Sequence, residues 1–232
     1  MSKGQIIDLS QEIYQGMPVY PGHLQTTIWN FHSHEETKKR MEGGFSYQTR
    51  GLIMSDHGPT HVDAITHISQ DSDALSIDKM PLDVFYGTAI CLDVSDFPER
   101  SARGPEVIKK AEKKDGQEIK RGEIVLFYTG HYDKHYGKPG WTEVYSGFTK
   151  EAAEYLCVEK KVKNWGMDMP SPDTPGNLTY PVHMVTRRTK IPHMENLCNL
   201  KVLIGKRFIF AGFPLKIRDG SGSPIRAVAI LD

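Results

Sequence analysis

Along this chain, apolar and polar positions alternate at period two, or merge into short apolar runs, more often than they recur at the period of a helix. Residues 5–10 read as a first strand, and residues 16–22, holding two glycines and two prolines, require a turn. Residues 26–31 are rich in β-formers, with Ile28 alternating against Asn30 around two aromatics. The charge-rich residues 32–40, with His32 and His34, read as a solvated loop or hairpin tip, and residues 45–53 alternate as a strand. Residues 87–94 and 123–128 are continuous apolar runs bounded by turn residues, as expected of central strands buried on both faces.

Helical spacing is confined to a few segments. Residues 104–114 carry Val107, Ile108 and Ala111 as one apolar stripe. Thr149 is placed to cap a helix over residues 150–159, with Glu151 and Glu154 near its start and Lys160 and Lys161 at its end, as the helix dipole favours. A strand over 162–167 then meets residues 168–176, where three prolines force a rigid loop. A short helix over 182–188 and strands over 207–212 and 225–231 complete the pattern. Helices recurring between more numerous strands predict a mixed α/β fold, one domain over residues 1–232.

Charge and composition narrow the partners. Twenty-nine Lys and Arg balance 29 Asp and Glu, so the clustered positive excess that phosphate binding needs is missing and a nucleic-acid partner is disfavoured. The N-terminus carries Lys3 and Asp8 with no apolar segment, and no run approaches the ~18 apolar residues that span a bilayer, so neither a signal peptide nor a membrane partner is expected. Cys91, Cys157 and Cys198 are odd in number, far apart and in apolar contexts; they read as buried thiols of a cytoplasmic, reducing compartment.

Candidate chemistry concentrates in residues 57–67, His-Gly-Pro-Thr-His-Val-Asp-Ala-Ile-Thr-His. Gly58 and Pro59 exclude a continuous helix, so the chain is extended and His61 and Asp63 share a face while Val62 points away. A turn at Gly58-Pro59 can fold His57 back to that face. Two imidazoles and a carboxylate are a donor set for zinc, manganese or iron, and three protein ligands with an open position is the layout of a catalytic ion. Farther on, His183 and Glu195 lie twelve residues apart, with His193 competing with His183 as a ligand; on spacing alone these read as surface residues.

With these residues the chain resembles the cyclase-like metal hydrolases, the family of bacterial kynurenine formamidase and isatin hydrolase. Their hallmark His-x-Gly-Thr-His-x-Asp-x-Pro-x-His falls on His57, Thr60, His61, Asp63 and His67. Residues 8–10 and 16–22, 121–130, Asp168 with 171–175, His183, 191–197, 214–217 and 222–227 resemble further family segments in order. The resemblance implies a mixed-sheet domain with a β-barrel-like core and flanking helices, of the swivelling β/β/α kind. It implies His57, His61 and Asp63 at one ion, Asp63 bridging to a second held by His183 and Glu195, and His67 as acid/base. Zinc, as one or two ions, is the implied cofactor, with manganese the other candidate; retention of both His183 and Glu195 favours two.

The implied activity is hydrolysis of a small aryl formamide or cyclic amide C–N bond by metal-activated water, in a homodimer or homotetramer. A lactone or other cyclic ester would suit the same residues, and a non-catalytic metal-binding role is the reading from another class. Pro59 and Ile65 depart from the family's glycine and proline, and Tyr20 stands where formamidases carry a substrate-facing tryptophan. Tyr20 and Trp29 are candidate walls for an aromatic substrate, against the plainer reading of two core residues. Arg187 and Arg188 are candidate partners of a substrate carboxylate, against the plainer reading of a solvated helix end.

Overall fold

The computed structural model describes residues 4–231. One nine-stranded mixed sheet runs from edge to edge through β1 (Gln5–Asp8), β13 (Val228–Leu231), β11 (Arg207–Ala211), β5 (Tyr86–Asp93), β7 (Ile124–Tyr128), β9 (Asn164–Met167), β10 (His193–Glu195), β4 (His61–Asp63) and β12 (Gly222–Pro224). β5, β7, β9 and β10 are parallel, and the strands outside them pair antiparallel. The sheet curls into a half-barrel, the mixed α/β fold expected. Apart from it, β2 (Thr27–His32) and β3 (Thr49–Ile53) form a hairpin, and β6 (Ala102–Arg103) pairs with β8 (Gly147–Phe148).

The central strands are apolar throughout because each faces two cores. In β5, Ile90 and Leu92 pack on one side with Val125 and Phe127 of β7. There they meet α2 (Pro105–Lys114) through Ile108 and Ala111, α4 (Lys150–Glu154) through Ala152 and Ala153, and α5 (Pro181–Thr189) through Val182 and Val185. The alternate residues Ala89, Cys91, Ile124 and Leu126 pack on the opposite side with Val62, Met194, Phe208 and Phe210. All three cysteines are buried and free.

Two segments depart from expectation. Residues 32–40 are not a loop: after His32 ends β2, α1 (His34–Lys38) forms because Ser33 and Glu36 make a reciprocal capping box, Glu36 N–H donating to Ser33 Oγ and Ser33 N–H to Glu36 Oε2. The strand expected over 45–53 is only Thr49–Ile53, since the chain at Tyr47 bonds the Thr37 hydroxyl on α1 instead of a ladder partner. Past α4 the coil widens into a π-helical stretch, Tyr155–Lys160, and a further short helix, α3 (His131–His135), follows β7.

Loops at the carboxyl ends of the parallel strands are tied together. Asp168, just after β9, accepts from Thr129 N–H at 2.7 Å, the Thr129 hydroxyl at 2.6 Å and Gly130 N–H at 3.0 Å, all just after β7. This joins the exits of two strands and holds in place the proline-rich loop that carries Asp173.

Candidate metal centre

Three short strands at one end of the sheet bring the chemistry together. Glu195 of β10 lies opposite His61 of β4, and Gly222 of β12 lies opposite Asp63. Side chains alternate across a strand, so Val62 and Met194 enter the core while His61, Asp63, His193 and Glu195 converge on the other face. His61 Nε2 is 3.4 Å from Asp63 Oδ1 and 3.5 Å from Glu195 Oε2. His57, on the turn before β4, folds back to place Nδ1 2.8 Å from Asp63 Oδ1. His183 comes from the first turn of α5, its Nε2 3.7 Å from Asp63 Oδ2.

Each of these three rings has an outer partner. His61 Nδ1 lies 2.9 Å from the Pro59 carbonyl, which also accepts from Asn196 Nδ2. His183 Nδ1 lies 2.5 Å from Asp173 Oδ2. His57 Nε2 lies 2.9 Å from Ser221 Oγ, whose hydroxyl donates to Asp56 Oδ2 at 2.7 Å. Such outer partners hold metal-binding imidazoles in one tautomer and orientation. Gly222 is required here for space, because a Cβ on it would stand 2.7 Å from His57 Cε1.

The donors fall into two clusters that share Asp63: His57, His61 and Asp63, and Asp63, His183, His193 and Glu195. Donors about 2.0–2.1 Å from a tetrahedral ion stand roughly 3.3 Å from one another; the two His61 separations fall close to that and His183 stands slightly farther, whereas His57 Nδ1 is at hydrogen-bond distance from Asp63 Oδ1 and would have to part from it by about half an ångström to share an ion. Electrostatics point the same way. Burial works against charge on His61 and His183, yet neighbouring carboxylates outweigh it. His61 is raised to about 9, mainly by Asp63 and Glu195, and His183 to about 10, mainly by Asp173 and Asp63. Asp63, despite its burial, is held well below the usual carboxylate range by His193, His183 and His57. Two buried carboxylates thus draw cations into the cluster, and divalent ions can take the place of those protons.

His67 sits on a short helical turn, Ile65–His67, directly after β4. Its Nε2 is 3.9 Å from Asp63 Oδ2, its ring is 4.0 Å from that of His57, and its side chain is 32% exposed. It opens into a cavity of about 470 Å³ whose floor includes His57, His61 and Asp63, and whose walls include Tyr20, Tyr180 and Met184.

All six residues singled out in the sequence therefore meet. Tyr20 lines the cavity as expected; Trp29 does not, lying half-exposed on the β2–β3 hairpin against Gly51. Arg187 and Arg188 turn away to Asp71 and Glu154, the solvated helix end of the plainer reading. Spacing alone suggested surface residues at His183, His193 and Glu195, but all three are buried, because β10 lies inside the sheet and α5 packs against its core. Sequence reasoning misses Asp173, Ser221 and Asp56; the acidic residue in the rigid proline loop is the one available signal.

Comparison with known proteins agrees with this architecture. The Cyclase family model matches residues 7–174. A kynurenine formamidase of Salinibacter ruber is 30% identical over 223 residues, 96% of each chain. An isatin hydrolase of Roseibium aggregatum is 32% identical over 197 residues, 78% of this chain and 73% of that one. The fold matches the crystal structure of an isatin hydrolase bound to the product analogue thioisatinate, with a TM-score of 0.84 and 25% identity over 99% of this chain and 93% of that one. The chain belongs to the cyclase family.

Proposed function

We propose that this protein is a metal-dependent hydrolase that cleaves the C–N bond of a small aryl formamide or cyclic amide. The observation that carries the reading is a pair of donor clusters sharing Asp63 on the floor of a cavity. Relatives named kynurenine formamidase and isatin hydrolase support the substrate class. His57, His61 and Asp63 would hold one ion, and Asp63, His183 and Glu195 a second. The all-nitrogen-and-oxygen donor set suits zinc or manganese. When bound, such ions polarise a carbonyl and activate water near neutral pH.

The chain's own groups supply the rest. Burial, reinforced by His57 and His183 and opposed by Asp63, pushes His67 down to about 4. The ring is therefore neutral at physiological pH and able to accept a proton. Lying beside Asp63 at the cavity mouth, it can take that proton from water and return it to the leaving nitrogen. Tyr20 and Tyr180 give the cavity aromatic walls with polar rims. Among the described residues no helix is long and apolar enough to cross a membrane. One domain, a cytoplasmic setting in which the three thiols stay reduced, and a homodimer or homotetramer complete the proposal.

A panel of N-formyl aryl amines, isatin-like cyclic amides and lactones, assayed with metal-loaded protein, tests it. Turnover of a formamide or cyclic amide is expected. Turnover confined to lactones, or to none of the panel, would overturn the substrate class.

A further inference from the structure

His193 is the most deeply buried ring of the cluster, at 0% exposure, and it lies beneath the cavity floor without lining the cavity. Among the described residues its Nδ1 finds no hydrogen-bond partner. Packing sets its orientation instead, with the His183 ring 4.8 Å away at 88° and the Trp165 ring at 5.7 Å. Burying a polar ring without a hydrogen bond is costly, so the offset has to come through Nε2. That atom stands 3.3 Å from Asp63 Oδ2 and 3.3 Å from Glu195 Oε1. A charge-assisted hydrogen bond would draw these atoms to about 2.7–2.9 Å, whereas roughly 3.3 Å is the spacing of two donors on one tetrahedral ion.

We infer that His193 is a further ligand of the inner ion. With Asp63, His183 and Glu195 it completes a four-donor protein shell, leaving the His57, His61 and Asp63 side as the position open to water and substrate. The two ions are then unequal: the inner one is enclosed like a structural site, and the outer one keeps the open coordination of a catalytic site. This inference rests on the two-ion reading above, but its consequences can be read without turnover.

The direct test loads protein carrying ¹⁵N-labelled histidine with ¹¹³Cd²⁺ and counts imidazoles whose nitrogen couples to cadmium. Four coupled rings are expected, with one signal missing in His193→Ala. Competition titration with a chromophoric chelator should show one of two cadmium ions held at least ~10-fold more weakly in His193→Ala and His193→Gln, since even loss of an outer partner costs 10–100-fold. Two bound ions with three coupled rings, or unchanged affinity in the variants, would make His193 a mere counter-charge and overturn the inference. If the variants fail to fold, the count in the unaltered protein decides alone. A protein that binds no cadmium would instead overturn the two-ion reading itself.

Discussion

Replacing Asp173 by Asn tests whether the proline-rich loop serves the metal centre or only the fold. Asp173 is 2% exposed and does two things at once. Its carboxylate accepts from Val182 N–H at 2.8 Å and His183 N–H at 3.2 Å, capping α5, whose own N-terminal residue Tyr180 offers no side-chain cap. Its Oδ2 also accepts from His183 Nδ1–H at 2.5 Å, turning Nε2 towards Asp63, where it would face an ion. Asparagine cannot do both. With its oxygen towards the ring, its NH₂ meets the Val182 N–H donor; with its NH₂ towards the ring, it meets His183 N–H and the imidazole proton must move to Nε2 and block the ligand atom. Loss of such an outer partner costs 10–100-fold in metal affinity, about 1.4–2.8 kcal/mol. The cap adds about 0.5–2 kcal/mol of lost stability with or without metal. Chelator competition would measure the first and thermal melts of metal-free protein the second. Unchanged affinity alongside a lowered Tm would leave Asp173 as a cap alone, with no part in holding the metal.

Other substitutions probe the residues around the centre and one histidine away from it. Gly222→Ala pushes a methyl into a His57 ring pinned by Asp63 and Ser221; elemental analysis should find lowered metal content, and denaturation a loss of about 1–3 kcal/mol. His67→Ala should keep its metal and lose turnover by about 10²–10⁴-fold, and loss of metal instead would make His67 a ligand. His131 probes stability away from the site. Burial pushes its pKa down to about 4, and its Nε2–H donates to the Trp141 carbonyl at 2.7 Å. Its folded pKa lies below the unfolded value of about 6.5, so the unfolded chain binds the extra proton. The stabilisation is full above pH ~6.5 and fades as pH falls towards ~4, a change of about 3 kcal/mol. Urea denaturation of His131→Gln should lack that share of the acid-side loss; an identical loss in both proteins would exclude His131 as its source.

Legibility in the sequence followed the length and two-sidedness of the elements. β5 and β7 face apolar cores on both sides, so their runs stand out, and α2 carries a stripe long enough to count. β4, β10 and β12 have three residues each, too few for any period to register, yet they carry most of the centre. Residues 57–67 declared themselves because His57, His61, Asp63 and His67 are crowded into one segment. His183 and Glu195 are legible only through resemblance, and His193 reads only as a rival of His183 because no spacing rule shows that both rings face one carboxylate. The α1 capping box, by contrast, was readable: Ser33 followed three residues later by Glu36 is a helix-start signal.

Hydrolysis should depend on divalent metal held at the shared-Asp63 centre. Protein stripped with chelator, then titrated with zinc or manganese, should be assayed on an N-formyl aryl amine while bound metal is counted by elemental analysis. Two ions per chain, no turnover in the stripped protein and recovery in step with metal uptake are expected. A stripped protein that still turns over, or one that takes up no metal, would contradict that dependence.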